Sequence, residues 1–297
     1  MQDLSTDDAM SLYRKGERFR QFGELSAAEE TLSEALKIDE NFPEAWNLLA
    51  LVHQQAWNLD KARESFKKAI KLRPKWIEPY LHLGILEFSM GLYFESASTL
   101  QGYVNHGGED LGALLTLAKA ARHLNDCQKV ITITSKILDI DEDIYEAWEL
   151  RGFCQADLER YNAACTSLNM AIDLHPASLT ALNKVGDLCY EAENYERAAE
   201  FFECSLKVRE NQLEIVFKYG TILWFLGRWT EAIPYLEAYT FKASDDPKGW
   251  NNLGVALREK GDVKRAIECY NRALALDPTL EIVLRNMGTA KDMQMMT

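Results

Sequence analysis

The side chains with the widest chemical scope in this chain are five histidines, several clustered carboxylates and six cysteines. Acid–base or nucleophilic catalysis needs an imidazole or carboxylate within hydrogen-bond reach of the group it activates. A metal site needs ligands at short, characteristic spacings. His53, His82, His106, His123 and His175 are scattered, with no carboxylate or cysteine expected beside them at helical spacing. Glu29-Glu30 and Asp141-Glu142-Asp143 read as solvated faces and turns rather than acid and base pairs. Cys127, Cys154, Cys165, Cys189, Cys204 and Cys269 include no CxxC and read as reduced core thiols, in keeping with a cytoplasmic location. No Gly-rich phosphate loop, HExxH pair, nucleophile elbow or kinase signature occurs. The expectation is therefore of no catalytic, cofactor-binding or metal residues, and of a protein that is not an enzyme.

What the residues do share is a period. Trp46, Trp148 and Trp250 stand 102 residues apart, three times 34, and the fourth residue after each is small: Ala50, Gly152 and Gly254. Cutting the chain every 34 residues from Ala9 puts Gly16, Ala50, Gly84, Ala118, Gly152, Gly186, Gly220 and Gly254 in the eighth place of eight successive units. The twentieth place holds Ala in six units, with Ser96 and Val130 as the departures, and the twenty-seventh holds Ala35, Ala69, Ala171 and Ala273. Small residues at these places let two helices approach closely. Turn residues such as Gly23-Glu24, Gly227-Arg228 and Gly261-Asp262 separate a helix A from a helix B in each unit, and Pro74, Pro176 and Pro278 terminate three B helices.

This pattern resembles the tetratricopeptide repeat, best in the last unit, which runs Trp250, Gly254, Leu257, Ala266, Tyr270, Ala273, Pro278. The resemblance implies an all-α fold, a right-handed α-solenoid of eight tandem 34-residue helix-turn-helix repeats. They cover 9–42, 43–76, 77–110, 111–144, 145–178, 179–212, 213–246 and 247–280, after an N-terminal tail at 1–8 and before a C-terminal capping helix and tail at 281–297. No such unit buries its apolar face alone, so the stack is the core. The weakest stretch is expected over 102–130, where Gly102 and Tyr103 stand in a B helix that ends in Asn105-His106-Gly107-Gly108. Val130 and Ile137 then fill small-residue places of the next unit. A bend or joint is expected there.

In helix A the fourth, eighth and eleventh places face helix B, and the second, fifth, ninth and twelfth form an adjacent stripe. In the resembled family that stripe lines a concave groove for extended peptides or partner helices. Here it is unusually apolar, which marks interfaces. The candidate binding residues are Leu51, Leu81, Ile85, Phe88, Phe153, Tyr190, Phe217 and Trp224 with the adjoining Phe225, and a basic spot of Lys119 and Arg122 with neighbouring His123, beside an acidic one of Glu146, Glu149 and Asp157. The nearest approach to a clamp for a peptide carboxylate, Asn183, Lys218, Lys248 and Asn252, is spoiled by Asp187. Forty-six acidic against 33 basic residues, a net charge of -13, oppose nucleic-acid binding. No signal peptide is read from the acidic start and no apolar run of membrane-spanning length occurs, so no membrane insertion is expected. The expected function is a non-catalytic protein–protein interaction adaptor or scaffold that binds a protein or peptide partner. A self-assembling structural subunit, a homo-oligomer, is the alternative.

Overall fold

In the computed structural model, which describes residues 6–296, the repeat pattern becomes helical hairpins, with no strand among the described residues. The hairpins fall into two compact units that divide between Leu158 and Glu159. The first holds α1 (Thr6–Gln21), α2 (Leu25–Ile38), α3 (Pro43–Gln55), α4 (Leu59–Leu72), α5 (Ile77–Ser89), α6 (Tyr93–Asn105), α7 (Leu111–His123), α8 (Cys127–Ile140) and α9 (Tyr145–Asp157). The second holds α10 (Tyr161–Leu174), α11 (Leu179–Glu191), α12 (Tyr195–Val208), α13 (Leu213–Phe225), α14 (Trp229–Lys242), α15 (Pro247–Lys260), α16 (Val263–Leu276) and α17 (Glu281–Met296). The division falls in the turn of the fifth 34-residue period, and α17 stands where a capping helix is expected. Of the expected N-terminal tail, residues 6–8 are already helical and 1–5 lie outside the described residues.

Local chemistry sets the helix ends. Pro43 and Pro247 occupy first-turn positions, where a missing N–H costs nothing. The side chains of Asp110, Asp126, Ser178, Asn194 and Asp262 accept hydrogen bonds from first-turn N–H groups of the helices they cap. At the A–B turns the fifteenth residue of every repeat has positive φ: Gly23, Gly91, Gly227 and Gly261, but also Trp57, Asn125, Glu159 and Glu193. The following N–H reaches back five residues, as Asn58 N to His53 O at 2.8 Å and Asp262 N to Leu257 O at 2.8 Å, closing the carbonyl end of helix A.

Between the helices of a hairpin, the small eighth residue receives the large side chain of the twenty-fourth. A Cβ at Gly254 would fall 2.6 Å from the Tyr270 ring, so this position admits only glycine while the ring stays put. Leu32, Phe66, Leu100, Leu168, Phe202, Leu236 and Tyr270, all at this twenty-fourth place, are fully buried.

The stretch expected to be weak is instead closely packed. A Cβ on Gly102 would lie 2.7 Å from the Tyr80 ring, and Gly108 lies directly under the Tyr103 ring. Tyr103 is buried, its hydroxyl accepts from Asp110 N–H at 3.1 Å, and it joins Leu100, Ala113, Leu117 and Ile137 in one continuous core. Val130 and Ile137 fit because the twenty-fourth place of that repeat holds the small Thr134, whose hydroxyl donates to Val130 O at 2.8 Å. The missing Cβ atoms at Gly102 and Gly108 are room for tyrosine rings.

Candidate partner-binding stripes

In the first unit Leu51 is half-buried on α3, while Leu81 and Phe88 on α5 pack partly against the core around Leu114 and Leu117. Ile85 between them is 39% exposed. Phe88 meets the Tyr93 ring edge-on at 5.4 Å, and Tyr93 stacks flat on His123 at 3.9 Å. Lys119 is half-buried, as is Phe153 on α9. Arg122 pairs with Asp157 at 2.7 Å, and Cys127 Sγ lies 3.9 Å from the same carboxylate. Arg122 of the basic spot and Asp157 of its acidic neighbour thus neutralise each other, and His123 is a stacking ring. Toward the start of the unit, Arg20 Nε and Asn47 Oδ1 are buried without a hydrogen-bond partner among the described residues.

Two histidines correct the sequence expectation. His82 Nε2 lies 3.9 Å from Glu78 Oε1, one helical turn earlier, and His53 Nδ1 lies 3.9 Å from Glu29 Oε1 on α2. Burial lowers the pKa of both imidazoles, and the adjacent carboxylates only partly oppose it. The Glu78 spacing was visible in the sequence; the Glu29 pairing depends on the neighbouring hairpin.

The second unit carries a run of rings across two hairpins. Tyr190 on α11 lies 5.8 Å from Tyr195, the first residue of α12, and Tyr195 stacks at 4.8 Å and 5° on Phe225 of α13. Trp224 adjoins Phe225 at 4.6 Å. Phe225 is 45% exposed and Trp224 half-buried. Phe217, in contrast, packs on Tyr239 at 4.5 Å, and the Tyr239 hydroxyl donates to Asp246 at 2.8 Å. Burial and that carboxylate push the Tyr239 hydroxyl up to about 12. Phe217 is accordingly the more structural of the two stripe residues on α13.

The same three places recur: the twelfth residue of one repeat, the seventeenth, and the thirteenth of the next. They hold Phe88, Tyr93 and His123; Arg122, Cys127 and Asp157; and Tyr190, Tyr195 and Phe225. Tyr93 and Tyr195 lie outside the stripe as read from the sequence; their signal was the seventeenth place itself. The approximate carboxylate clamp is occupied internally. Lys218 bonds Asp187 and Glu214, each at 2.7 Å, Asn183 bonds Gln212 and Ser205, and Asn252 donates to Thr221.

Four family models of the tetratricopeptide repeat match the chain, at residues 16–56, 43–76, 155–205 and 247–280. Among curated relatives, the protein FlbA of Caulobacter vibrioides is 25% identical over 60% of this chain and 30% of its own length. The peroxisomal targeting signal receptor of Saccharomyces cerevisiae is 22% identical over 84% of this chain and 37% of its own. The BBSome complex member BBS4 of Bos taurus is 22% identical over 78% and 47%. The chain thus spans between 30% and 47% of the length of these relatives. Among solved structures, YrrB, described as a TPR protein with an unusual peptide-binding site, superposes with a TM-score of 0.57 at 16% identity, over 63% of this chain and 97% of that one. MamA does so with 0.52 at 18% identity, over 56% and 97%. No described helix is long and apolar enough to cross a membrane. With its 34-residue hairpins, its small-residue places and these matches, the chain belongs to the tetratricopeptide repeat family.

Proposed function

We propose that this chain is a non-catalytic scaffold that holds segments of other proteins against the A-helix stripes of its repeats. The observation that carries the reading is the run Tyr190, Tyr195, Phe225, Trp224, in which stacked rings are fixed in place while Phe225 stays open to solvent. Pre-ordered aromatic surface offers large apolar area at little entropic cost, which is how interface anchors work. A receptor and a complex member among the relatives agree with such a role. In the first unit, Leu81, Ile85 and Phe88 offer a second stripe.

The test compares substitutions within the second unit. Trp224→Ala and Phe225→Ala should each weaken partner capture tenfold or more, about 1.4 kcal/mol, with the melting temperature nearly unchanged. Trp250→Ala, whose indole is bonded to Ser244 O, should lower melting instead, by about 2–4 kcal/mol of stability. Equal loss of melting temperature in all three variants would make the rings core and end the assignment. Self-assembly is a second reading, favoured by Phe94 and Phe241, which stand largely exposed on B helices. Light scattering against concentration separates the two.

A further inference from the structure

In four repeats the fourth residue of helix A is a Trp or Tyr, and its indole N–H or phenol O–H closes on the turn before it. Trp46 Nε1 donates to Glu40 O at 2.9 Å, Tyr80 Oη to Pro74 O at 3.0 Å, Trp148 Nε1 to Glu142 O at 2.8 Å and Trp250 Nε1 to Ser244 O at 2.9 Å. The acceptor is always six residues upstream. In three of these repeats the residue 22 positions downstream lies against the ring. Lys68 Nζ sits 3.9 Å from the Trp46 ring centre, Arg272 sits 5.5 Å from that of Trp250, and a Cβ on Gly102 would lie 2.7 Å from Tyr80. The ring therefore has a defined seat between its own helix, a carbonyl six residues back and a B-helix residue 22 ahead.

The seventh repeat keeps the seat and lacks the ring. Its fourth residue is Val216, Glu210 stands six residues back and Ala238 stands 22 ahead, and all three line one cleft of about 460 Å³ between α12 and α14. Leu206, Leu213 and Tyr235 complete its apolar walls. The Glu210 carbonyl accepts one hydrogen bond, from Gln212 N–H at 3.0 Å, and a carbonyl oxygen has a second lone pair. On the rim Lys207 is paired with Glu203 at 2.7 Å, and Lys242 donates to Asn211 at 3.0 Å. The cleft thus asks for a neutral ring with a donor.

We infer that this cleft receives a tryptophan side chain of a partner protein, which takes the seat the repeat's own ring vacates. The indole lies against Val216, Leu213 and Ala238, and its N–H donates to the Glu210 carbonyl. Because the chain carries a net charge of -13, the segment bearing that tryptophan is basic. The site is on the B-helix side of the hairpins and is independent of the A-helix stripes.

The probe is N-acetyltryptophanamide, titrated into the full chain and followed by methyl NMR. Saturable shifts are expected at Leu206, Leu213 and Val216, and N-acetylleucinamide should bind at least tenfold more weakly. Val216→Trp should fold with an unchanged or raised melting temperature and lose the probe, since the chain then fills its own seat. Ala238→Arg, the residue type at this place in the eighth repeat, should also lose it while leaving α13 untouched. A tryptophan peptide flanked by lysines should bind more tightly than the same peptide flanked by glutamates. Absence of shifts at the cleft, or undiminished binding in Ala238→Arg, overturns the site. A lowered melting temperature in Val216→Trp overturns the vacated-seat origin, and the reverse charge order overturns the basic flank. Self-association abolished by both Val216→Trp and Trp57→Ala would replace the partner with a second copy, because Trp57 is the most exposed indole among the described residues.

Discussion

Glu87 illustrates how single side chains hold these hairpins together. Its carboxylate is fully buried on α5, with Arg63 Nε at 3.0 Å from α4, the Thr99 hydroxyl at 2.7 Å from α6, and Lys67 at 3.8 Å. A buried charge is tolerable only while it is paired, and removing one partner strands the other. Glu87→Ala should cost about 2–3 kcal/mol in a denaturant titration, less than a fully desolvated pair because Arg63 keeps some contact with water. Glu87→Gln, which retains an acceptor for Thr99, should cost less. The cysteines behave oppositely, as inert filler. Burial pushes the Cys154 thiol up to about 12 and Cys269 to about 11, so neither is a thiolate near neutrality, and Cys204 alone is exposed. A disulfide reagent at pH 8 should titrate one thiol in the native protein, Cys204, and six in denaturant. A fast thiol beyond Cys204 and the half-buried Cys165 would show that a buried cysteine opens to solvent.

At the scale of the helix, the A–B turn fixes backbone conformation more strictly than it fixes residue type. Positive φ in an L-residue costs roughly 1 kcal/mol or more, yet Trp57, Asn125, Glu159 and Glu193 accept it because the turn's back-bonds impose it. Trp57 is 83% exposed, so Trp57→Gly forfeits little packing and should raise stability by up to about 1 kcal/mol; Glu193→Gly should do likewise. Gly227→Ala should lower it by a similar amount, and thermal melts of the three variants check the sign. This turn also marks what the sequence could disclose. Small residues at the eighth and twentieth places are legible because a large partner side chain packs on them, Val130 being tolerated only where that partner shrinks to Thr134, and the turn is legible wherever glycine fills it. At Trp57 and Glu193 the same conformation is invisible, being imposed by hydrogen bonds rather than by the side chain. Gly102 and Gly108 misled for a related reason: a missing Cβ looks like weakness until the tyrosine that fills the space is known. Of the candidate stripe, the spacing of Trp224 and Tyr190 was readable. The stacking of Tyr195 on Phe225 and of Tyr93 on His123 was not, because each joins residues 30 positions apart on successive hairpins. The division at Leu158 had no signal in composition or period.

Across the whole chain, stability in a repeat protein is a sum of local terms, so a titrating group weakens the unit that contains it. The two histidines whose pKa burial depresses, His53 and His82, both lie in the first unit. Their folded pKa values fall below the unfolded value near 6.5, so between the two the unfolded chain binds more protons than the folded one. Their contribution is therefore complete above about pH 6.5 and is lost as the pH falls through that value toward the folded pKa. Glu29 and Glu78 oppose the loss in part, since each would stabilise an imidazolium beside it. Carboxylates remain mostly ionised down to about pH 5, so over this window the chain's negative charge changes little except through histidine. Hydrogen exchange at pH 7.5 and 5.5, corrected for the intrinsic pH dependence of exchange, should show protection falling in α3 to α5 and holding in α11 to α16. His53→Gln and His82→Gln together should flatten the difference. Equal loss of protection in both units would assign acid sensitivity to global charge, and an unchanged profile in the double variant would remove the histidines from the account.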